Sequence, residues 1–335
     1  MTNIPLQRDP AKSKEIPNPN DENSKKFLSR IKKNVLLKNY TTFKIGGRAE
    51  YFFEANNKQE LLIAIKWAQE QGIPIFVLGG GSNVLISDKG LRGLVIRTKS
   101  KELKVQDDRI FISSGVELSD LVNIATDNDL CGIEWFFGIP GTIGGAVYGS
   151  ISAFDSSIKD VVQSVEAIDI SELKIKNFQK EDCQFAYKQS IFKKNKNLII
   201  LSCVLKLKKE NKKIIKEQVD SNLTYRKKSH PLKFPSAGCV FENYPLSGLI
   251  LKEFPELKQF NKTEMIPAAY LIEKCGLKGK KIGNAQISEI HANFIVNLGK
   301  AKAEDVLRLV KIIKQEVKGK FGIVLKQEVQ YLNNF

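Results

Sequence analysis

The sequence predicts an α+β fold in which a two-lobed module is followed by a smaller C-terminal module. Three observations support this prediction. Strand-like apolar runs enclose an amphipathic helix within residues 49–78. Glycine-rich loops occupy residues 78–88 and 132–146. After residue 210 the sequence becomes rich in basic residues and in helix-forming residues. A chain of 335 residues is long enough for about two or three domains and a sizeable core.

The chain begins with a predicted leader and a first lobe. Residues 1–32 are polar and lack periodicity, so we expect a disordered leader without a function of its own. In lobe 1, residues 33–98, Asn57 with Glu60 three positions later predicts the start of a helix, and Gly72 predicts its end. The strands expected in this lobe cover residues 49–55, 73–78 and 94–97.

The second lobe, residues 99–210, contains a further helix and further strands. The helix is predicted by apolar residues at helical spacing, namely Leu118, Leu121, Val122 and Ala125. The expected strands cover residues 110–113, 162–170 and 198–207.

The C-terminal module, residues 211–320, is predicted to hold a short helix and a long amphipathic helix. The short helix covers residues 267–275 and ends before Gly276, and Gly319 is expected to close the long one. The core positions of the long helix are Ala303, Val306, Leu307, Val310, Ile313 and Val317. The final segment, residues 321–335, alternates like a strand as far as residue 331.

Composition excludes several classes of protein. The formal net charge is +16, but only 8 of the 53 basic residues are arginine and the lysines are spread along the chain, so a nucleic-acid-binding role is not predicted. The 5 cysteines are scattered and contain no CxxC pair, which indicates reduced thiols rather than disulfides or a metal site. No apolar run has the length of a membrane span or of a secretory signal, so we expect a cytoplasmic protein without membrane attachment.

The two glycine-rich loops are the most informative stretches. Residues 132–146 contain five glycines and one proline, and three glycines occupy positions 79–81. Glycine allows a ligand to approach the main chain closely, and free N–H groups in such a loop bind anions. Two such loops predict one long phosphorylated cofactor, although each alone could be an ordinary tight turn. Neither contains the GxGxxG pattern of a dinucleotide-binding Rossmann domain.

Seven stretches within residues 39–331 together resemble one known family. They are NYTTFKIGG, LGGGSNVLISD, GIPGTIGGAVY, FAYKQSIF, PSAGCVF, HANFIVN and LKQEV. The chain resembles the UDP-N-acetylenolpyruvoylglucosamine reductases, also called UDP-N-acetylmuramate dehydrogenases or the MurB family. It is similar to the shorter type, which lacks an extra insertion.

The resemblance implies an FAD-binding module like that of the vanillyl-alcohol oxidases, and a substrate-binding domain that closes over the flavin. It also implies noncovalent FAD, NADPH as hydride donor, a UDP-sugar substrate, a monomer, and a place in bacterial peptidoglycan synthesis. The residues expected to bind the cofactor are Leu78, Gly79, Gly80, Gly81, Ser82, Asn83, Val84, Gly138, Ile139, Pro140, Gly141, Thr142, Gly144, Gly145, Ala146 and Arg226.

The family's reaction passes hydride to an enolpyruvyl ether and then needs a proton donor and a stabiliser of the enolate. The resemblance gives Cys239 the role of proton donor, because a thiol with an ordinary pKa near 8.5 is a better acid than a hydroxyl. Glu328 matches the family's second acid, so the resemblance implies that the C-terminal strand, residues 321–335, returns to the active site. Lys188 stands where the family has arginine, and it keeps the charge without the planar fork. The ordinary alternatives are a buried structural cysteine, a solvated edge glutamate and a surface lysine.

Other positions match the family's substrate contacts or depart from its pattern. Tyr187, Lys188, Asn243 and His291 are expected to bind the UDP-sugar, although His291 could equally be a core histidine and Arg226 a surface helix charge. The departures are Ser150, Ser152, Asp155, Glu242 and Lys326. Two other functions compete with the reductase: a related flavin oxidase, and a flavin- or nucleotide-binding protein that has lost turnover.

Overall fold

The computed structural model describes residues 18–332, and its first lobe is a four-stranded sheet. The strand order is β1-β2-β5-β3; β1 is antiparallel to β2, whereas β5 is parallel to both β2 and β3. The parallel pairs arise because α2 crosses over between β2 and β3, as in a βαβ unit. The elements are α1 Glu22–Leu28, β1 Lys32–Leu36, β2 Arg48–Ala55, α2 Lys58–Glu70, β3 Ile75–Leu78, β4 Val84–Ile86 and β5 Leu91–Thr98.

The helix α2 begins as its sequence predicts. The Asn57 side chain accepts a hydrogen bond from the main-chain N–H of Glu60, and Gly72 follows the helix with φ +63°. The Glu60 carboxylate does not accept the N–H of Asn57, which is the second hydrogen bond of a capping box. It binds the guanidinium of Arg30 through two contacts of 2.8 and 2.7 Å.

The predicted leader is ordered where the structure describes it, so the expectation of disorder through residue 32 is wrong from residue 18 onward. Asp21 caps α1 by accepting from the N–H of Ser24 at 2.7 Å. Phe27 and Ile31 pack against the core of the first lobe, and Arg30 pairs with the buried Glu60. Two apolar anchors in a polar stretch are too few to give a periodic signal. Residues 1–17 lie outside the described part.

The second lobe is a five-stranded antiparallel sheet in the order β12-β11-β13-β7-β6. Its inner face and the helices α3, α4 and α5 enclose an apolar core. The elements are β6 Leu103–Gln106, β7 Arg109–Ser113, α3 Leu118–Asp127, β8 Leu130–Cys131, α4 Ile143–Gly149, β9 Ser152–Ala153, β10 Ser156–Ser157, β11 Val162–Asp169, β12 Lys174–Gln179, α5 Ile191–Lys194, β13 Leu198–Lys206, β14 Lys208–Lys209 and α6 Lys212–Ser229.

The helix α6 packs on the second lobe, against α3, β8 and the 3-10 turn Glu134–Phe136. The sequence boundary at residue 211 therefore separates α6 from the elements that it contacts. Composition alone assigns this mostly polar helix to the C-terminal module. Its few buried positions face the second lobe instead, and they include Ile215 and Arg226.

The C-terminal unit is a four-stranded antiparallel sheet in the order β15-β20-β19-β18, covered by α9. Its core is continuous with residues of the first lobe, including Phe43, Ile45 and Leu85. The elements are β15 Ser236–Cys239, β16 Tyr244–Pro245, α7 Gly248–Glu253, β17 Met265–Ile266, α8 Ala268–Lys274, β18 Lys281–Ile282, β19 Ala285–Ile287, β20 Phe294–Asn297, α9 Ala303–Phe321 and β21 Gln330–Leu332.

The end of the described chain differs from its prediction. The helix α9 continues past Gly319 to Phe321 and closes at Gly322, which has φ +67°. Instead of one strand over residues 321–331, an extended segment forms a single bridge from Gln327 to Phe241. It then ends as β21, which pairs in parallel with β4 of the first lobe. The chain thus returns from the C-terminal unit to the first lobe.

Candidate active site

The two glycine-rich loops lie against each other. A methyl group added at Gly80 would fall 2.7 Å from the Cα of Gly141, and one at Gly79 would clash with the Thr142 hydroxyl. Only glycine permits this approach of main chain to main chain. The structure thus brings together two loops that sequence analysis linked only by a shared ligand.

The first loop presents unused hydrogen-bond donors. Among the described residues, the main-chain N–H groups of residues 79–83 donate no hydrogen bond to the protein. These residues are only partly exposed or buried, so their N–H groups need an acceptor. A run of such groups binds an anion, and the loop therefore fits the diphosphate of a dinucleotide.

The second loop continues into the helix α4, which sequence analysis did not predict because of the glycines in this stretch. Thr142 caps α4, and the N–H of Ala146 is committed to Thr142 at 2.9 Å. The N–H of Gly144 is committed to the carbonyl of Ser114, also at 2.9 Å. A methyl group at Gly144 would lie 2.7 Å from the Ser114 Cβ, so this glycine serves helix packing. Within the described chain, the N–H groups of Gly138, Gly141 and Thr142 remain unused.

Arg226 places a buried cation beside the second loop. Its Cδ approaches Gly138, its Nη2 donates to the carbonyl of Trp135 at 2.9 Å, and its guanidinium lies 5.2 Å from the Phe154 ring centroid. Its Nε is buried and has no hydrogen-bond partner. Burial lowers the pKa of Arg226. The alternative of a surface helix charge is wrong, because only 8% of the residue is exposed.

Lys188 and Glu328 form an ion pair that is largely buried. The Nζ of Lys188 lies 2.6 Å from Oε1 of Glu328, and the two side chains are only 12% and 16% exposed. Burial opposes the charge on Lys188, but Glu328 outweighs it, so the pKa of Lys188 is raised. The interpretations of Lys188 as a surface lysine and of Glu328 as a solvated edge charge are therefore wrong.

Cys239 reaches the same place from β15. Gly238, with φ +77°, produces a bulge before it, and the N–H of Glu328 donates to the carbonyl of Val240 at 2.9 Å. Burial raises the pKa of Cys239 to about 12; the charge of Glu328 raises this pKa too, whereas Lys188 lowers it. The thiol is therefore a weaker acid than the ordinary pKa implies, and it is protonated at neutral pH.

The first loop and Glu328 are joined by hydrogen bonds. The Asn83 side chain donates to the carbonyl of Glu328 at 3.2 Å, and the N–H of Gln330 donates to the carbonyl of Asn83 at 3.0 Å. The parallel pairing of β21 with β4 creates this contact. A predicted cofactor residue and a predicted catalytic residue are thus neighbours.

Two predicted substrate-binding residues, Tyr187 and Asn243, are in direct contact. The Tyr187 hydroxyl accepts the N–H of Asn243 at 3.1 Å, and the Asn243 side chain accepts the N–H of Ala268 at the same distance. Tyr187 remains 42% exposed, and burial of its hydroxyl raises its pKa. The Lys188 Nζ lies 5.9 Å from the Tyr187 ring centroid. Tyr187 therefore stands at the rim of the pair formed by Lys188 and Glu328.

His291 contacts the other histidine of the chain, His230. Its ring centroid is 5.7 Å from that of His230 and 4.9 Å from that of Phe294. Its Nδ1 is buried, and no hydrogen-bond partner is found for it among the described residues. Burial lowers the pKa of His291, which favours the neutral ring.

Three charged residues near Lys188 were not predicted as site residues. Glu242, which is 6% exposed, pairs with Lys326 at 3.0 Å and with Lys193 at 3.7 Å. Residues 240–242 run antiparallel to residues 326–328, which brings Glu242 and Lys326 together. Glu242 and Lys326 are both departures from the family pattern. Their ion pair shows that the two departures are linked, which neither position indicates alone.

Neither a metal centre nor a membrane span is found in the described part of the chain. Within residues 18–332, no three or more His, Cys, Asp or Glu side chains are grouped so as to hold a metal ion. No helix in the same range has the length and apolar content needed to cross a bilayer.

Known proteins share both the sequence and the fold. A family model described as "UDP-N-acetylenolpyruvoylglucosamine reductase, C-terminal domain" matches residues 230–332, and one described as "FAD binding domain" matches residues 49–173. The UDP-N-acetylenolpyruvoylglucosamine reductase of Clostridium novyi is 37% identical over 301 residues, which are 90% of this chain and 91% of that protein. That of a Synechococcus strain is 36% identical over 95% of this chain and 96% of its own length.

A solved structure gives the same result. The crystal structure of UDP-N-acetylenolpyruvylglucosamine reductase from Thermus caldophilus matches with a TM-score of 0.73 and 33% identity, over 91% of this chain and 99% of that one. The predicted fold class, an FAD-binding module with an added C-terminal domain, is confirmed. Because it shares 36–37% identity with named reductases over at least 90% of its length, matches both family models and has the same fold, the chain belongs to the UDP-N-acetylenolpyruvoylglucosamine reductase family.

Proposed function

We propose that this chain reduces UDP-N-acetylenolpyruvoylglucosamine to UDP-N-acetylmuramate, the precursor that peptidoglycan synthesis consumes. The observation that carries the proposal is the convergence of Cys239, Lys188 and Glu328 at one place, in a chain 37% identical to a named reductase over nearly its whole length. They arrive from three separate segments, so their proximity is a property of the fold.

The residues present fit FAD as the cofactor. When bound, FAD would supply the hydride-transfer chemistry between NADPH and the enolpyruvyl substrate. The unused N–H groups of residues 79–83 would hold the diphosphate, and Arg226 would give its unpaired Nε to an acceptor at the second loop. The remaining residues of both loops would line the cofactor.

Hydride addition at the vinyl carbon leaves negative charge on the substrate's carboxylate end and a need for a proton at the adjacent carbon. Lys188 supplies the buried positive charge that stabilises this anion. Cys239 donates its Sγ proton to the adjacent carbon, because it is a thiol at neutral pH. The thiolate left behind is stabilised by Lys188, and Glu328 holds Lys188 in its charged form.

The substrate's UDP-sugar would contact Tyr187, Asn243 and His291. The exposed rim position of Tyr187 and the unpaired Nδ1 of His291 support these roles. We further propose that the enzyme acts in the cytoplasm as a monomer, free of membrane and nucleic acid. Its modules would be a first lobe, a second lobe that includes α6, and a substrate-binding unit that starts near residue 230.

An anaerobic absorbance experiment tests this function. The purified flavoprotein is reduced with NADPH and then mixed with UDP-N-acetylenolpyruvoylglucosamine. Return of the oxidised-flavin band is expected for the reductase. A flavin that is bound and reduced but stays bleached would instead identify a flavin-binding protein without this turnover, the alternative raised by lysine at position 188.

A further inference from the structure

Lys188 occupies a backbone conformation that must be held in place. It lies on a two-residue turn closed by reciprocal hydrogen bonds between Ala186 and Gln189, each 3.0 Å, and its φ is +55°. An L-residue in the left-handed region costs about 1 kcal/mol or more. The turn keeps this conformation only if its surroundings fix it.

A second buried lysine fixes the turn. Lys193 Nζ donates to the carbonyl of Lys188 at 2.7 Å, and its side chain is 13% exposed. Lys193 belongs to α5, whose first turn is capped by Ser190, and the Ser190 hydroxyl is bound to the carbonyl of Tyr148 at 2.7 Å. The donor is therefore anchored to a fixed element of the second lobe.

The charge of Lys193 is balanced by Glu242. Burial lowers the pKa of Lys193 most, the positive charges of Lys326 and Lys188 lower it further, and the carboxylates of Glu242 and Glu328 raise it. Glu242 lies 3.7 Å from Lys193 and is itself held by Lys326 at 3.0 Å. A row of alternating charges therefore runs from Lys326 through Glu242 to Lys193. Lys193 in turn donates its hydrogen bond to the Lys188 carbonyl.

We propose that Lys193 is a positioning residue for the reaction: it holds the Lys188 turn so that the Lys188 ammonium points at Glu328 and the substrate carboxylate. Glu242 and Lys326 support Lys193 in this task. The inference rests on the proposed function, since it specifies how the enolate-stabilising cation is oriented. Lys193 itself touches neither substrate nor cofactor in this role.

The test replaces Lys193 by methionine, which keeps the side-chain length and removes the donor. Reoxidation of the reduced flavin by the enolpyruvyl substrate is expected to slow by about 10- to 100-fold, as for loss of one charge-assisted hydrogen bond. Flavin content and the rate of reduction by NADPH serve as checks on folding. The matched control is Lys194→Met on the same helix, because exposed Lys194 only donates to Gln184. Equal rates for the two variants would overturn the inference.

A double-variant cycle separates positioning from general support. If Lys193 acts through Lys188, Lys193→Met adds nothing to the loss already caused by Lys188→Met. Losses that multiply would show that Lys193 acts elsewhere. Lys193→Arg should recover part of the rate, because it restores a charged donor.

The proposed function and this inference fail differently. If the unaltered enzyme itself is not reoxidised by the enolpyruvyl substrate, the function is wrong and the inference falls with it. If the unaltered enzyme is reoxidised and Lys193→Met is reoxidised at the same rate, only the inference is overturned.

Discussion

The surroundings of Cys239 keep its thiol protonated. Burial raises the pKa of the thiol to about 12, with the charge of Glu328 adding to the effect, and the residue stays neutral across the physiological pH range. Lys188 favours the thiolate and Glu328 opposes it, so the direction of proton transfer depends on this pair.

The first residue-scale prediction concerns Cys239→Ala. Without the thiol, reoxidation of the flavin by the enolpyruvyl substrate should slow by about 100- to 10,000-fold, because the general acid is missing. Bleaching by NADPH should be unchanged. Cys239→Ser is the matched control and should retain measurable turnover, since a hydroxyl also supplies a proton. Anaerobic stopped-flow absorbance measures both half-reactions, and equal losses in the two would rule out a proton-donor role.

The second residue-scale prediction concerns Glu328→Gln. Glu328 raises the pKa of both Lys188 and Cys239, so its removal allows both groups to lose their protons at lower pH. In the unaltered enzyme the alkaline limb of the pH profile for reoxidation should lie above about pH 10, and in the variant it should move to lower pH when both are measured from about pH 8 to pH 11. Exposed Glu256→Gln should leave the limb where it is. An unmoved limb in Glu328→Gln would contradict the coupling.

At this scale, sequence analysis named three candidate site residues that the structure brings together, but it did not name the charged residues around them. Cys239, Lys188 and Glu328 stand within motifs of the resemblance, so each could be predicted alone. Lys193 and Glu242 have no local pattern, because a buried lysine and a buried glutamate differ from solvated ones only through tertiary neighbours. The pKa of Cys239 was likewise set by burial that no sequence motif reports.

Elements with strong apolar periodicity were predicted well, and elements defined by caps and backbone geometry were not. The helices α2 and α3 follow their apolar spacing and lie where expected. The helix α4 was hidden because glycine has a low helix propensity, and here its absence of a side chain lets the helix pack against Ser114. The helix α1 was hidden by its polar sequence.

The hairpin between β9 and β10 shows local strain at an altered turn. Phe154 and Asp155 form its two-residue loop, and both have positive φ, +50° and +58°. Such a turn favours glycine or asparagine. The Phe154 ring packs on Tyr225 at 5.2 Å and beside Arg226 at 5.2 Å, so contacts of the ring hold the first loop position in place.

The element-scale prediction is that Asp155→Gly stabilises the protein. Relief of the left-handed penalty outweighs the added chain entropy of glycine, for a net gain of about 0.5–1 kcal/mol in the free energy of unfolding. Asp155→Ala is the control, because alanine keeps the penalty and should give no gain. Denaturant titration measures both variants. A gain of the same size from alanine would mean that the aspartate charge, not the backbone, is the cause.

At the scale of the whole molecule, the two histidines connect the second lobe to the C-terminal unit. His230 closes α6 and contacts His291 and Phe294, which precede and begin β20. Burial is the main cause that lowers the pKa of His230 to about 4, and the nearby His291 and Arg226 contribute to the same shift. The joint is therefore built for two neutral rings.

The whole-molecule prediction follows from this depressed pKa. Between about pH 6.5 and pH 4 the unfolded chain binds a proton at His230 that the folded chain does not bind. Stability should thus fall as pH is lowered through this window, by an amount on the order of 2 kcal/mol from this residue. His230→Phe keeps the ring contacts and should show a shallower loss. Chemical unfolding at several pH values tests this, and identical slopes would refute it.

Long-range pairing marks the limit of prediction at this scale. The helix α6 packs on the second lobe, because its buried side chains and not its composition decide its partner. The pairing of β21 with β4 was also beyond sequence analysis, since three residues of strand carry no signal of their partner.

That pairing has a consequence for how the protein is made. Asn83 and Glu328, which share a hydrogen bond, are 245 positions apart in the chain. A ribosome releases β4 long before it releases β21, so throughout that interval the nascent first lobe exposes an unpaired strand edge and an incomplete cofactor loop. Chaperone binding should therefore persist until β21 has left the ribosome and can pair with β4, and flavin capture should follow only then.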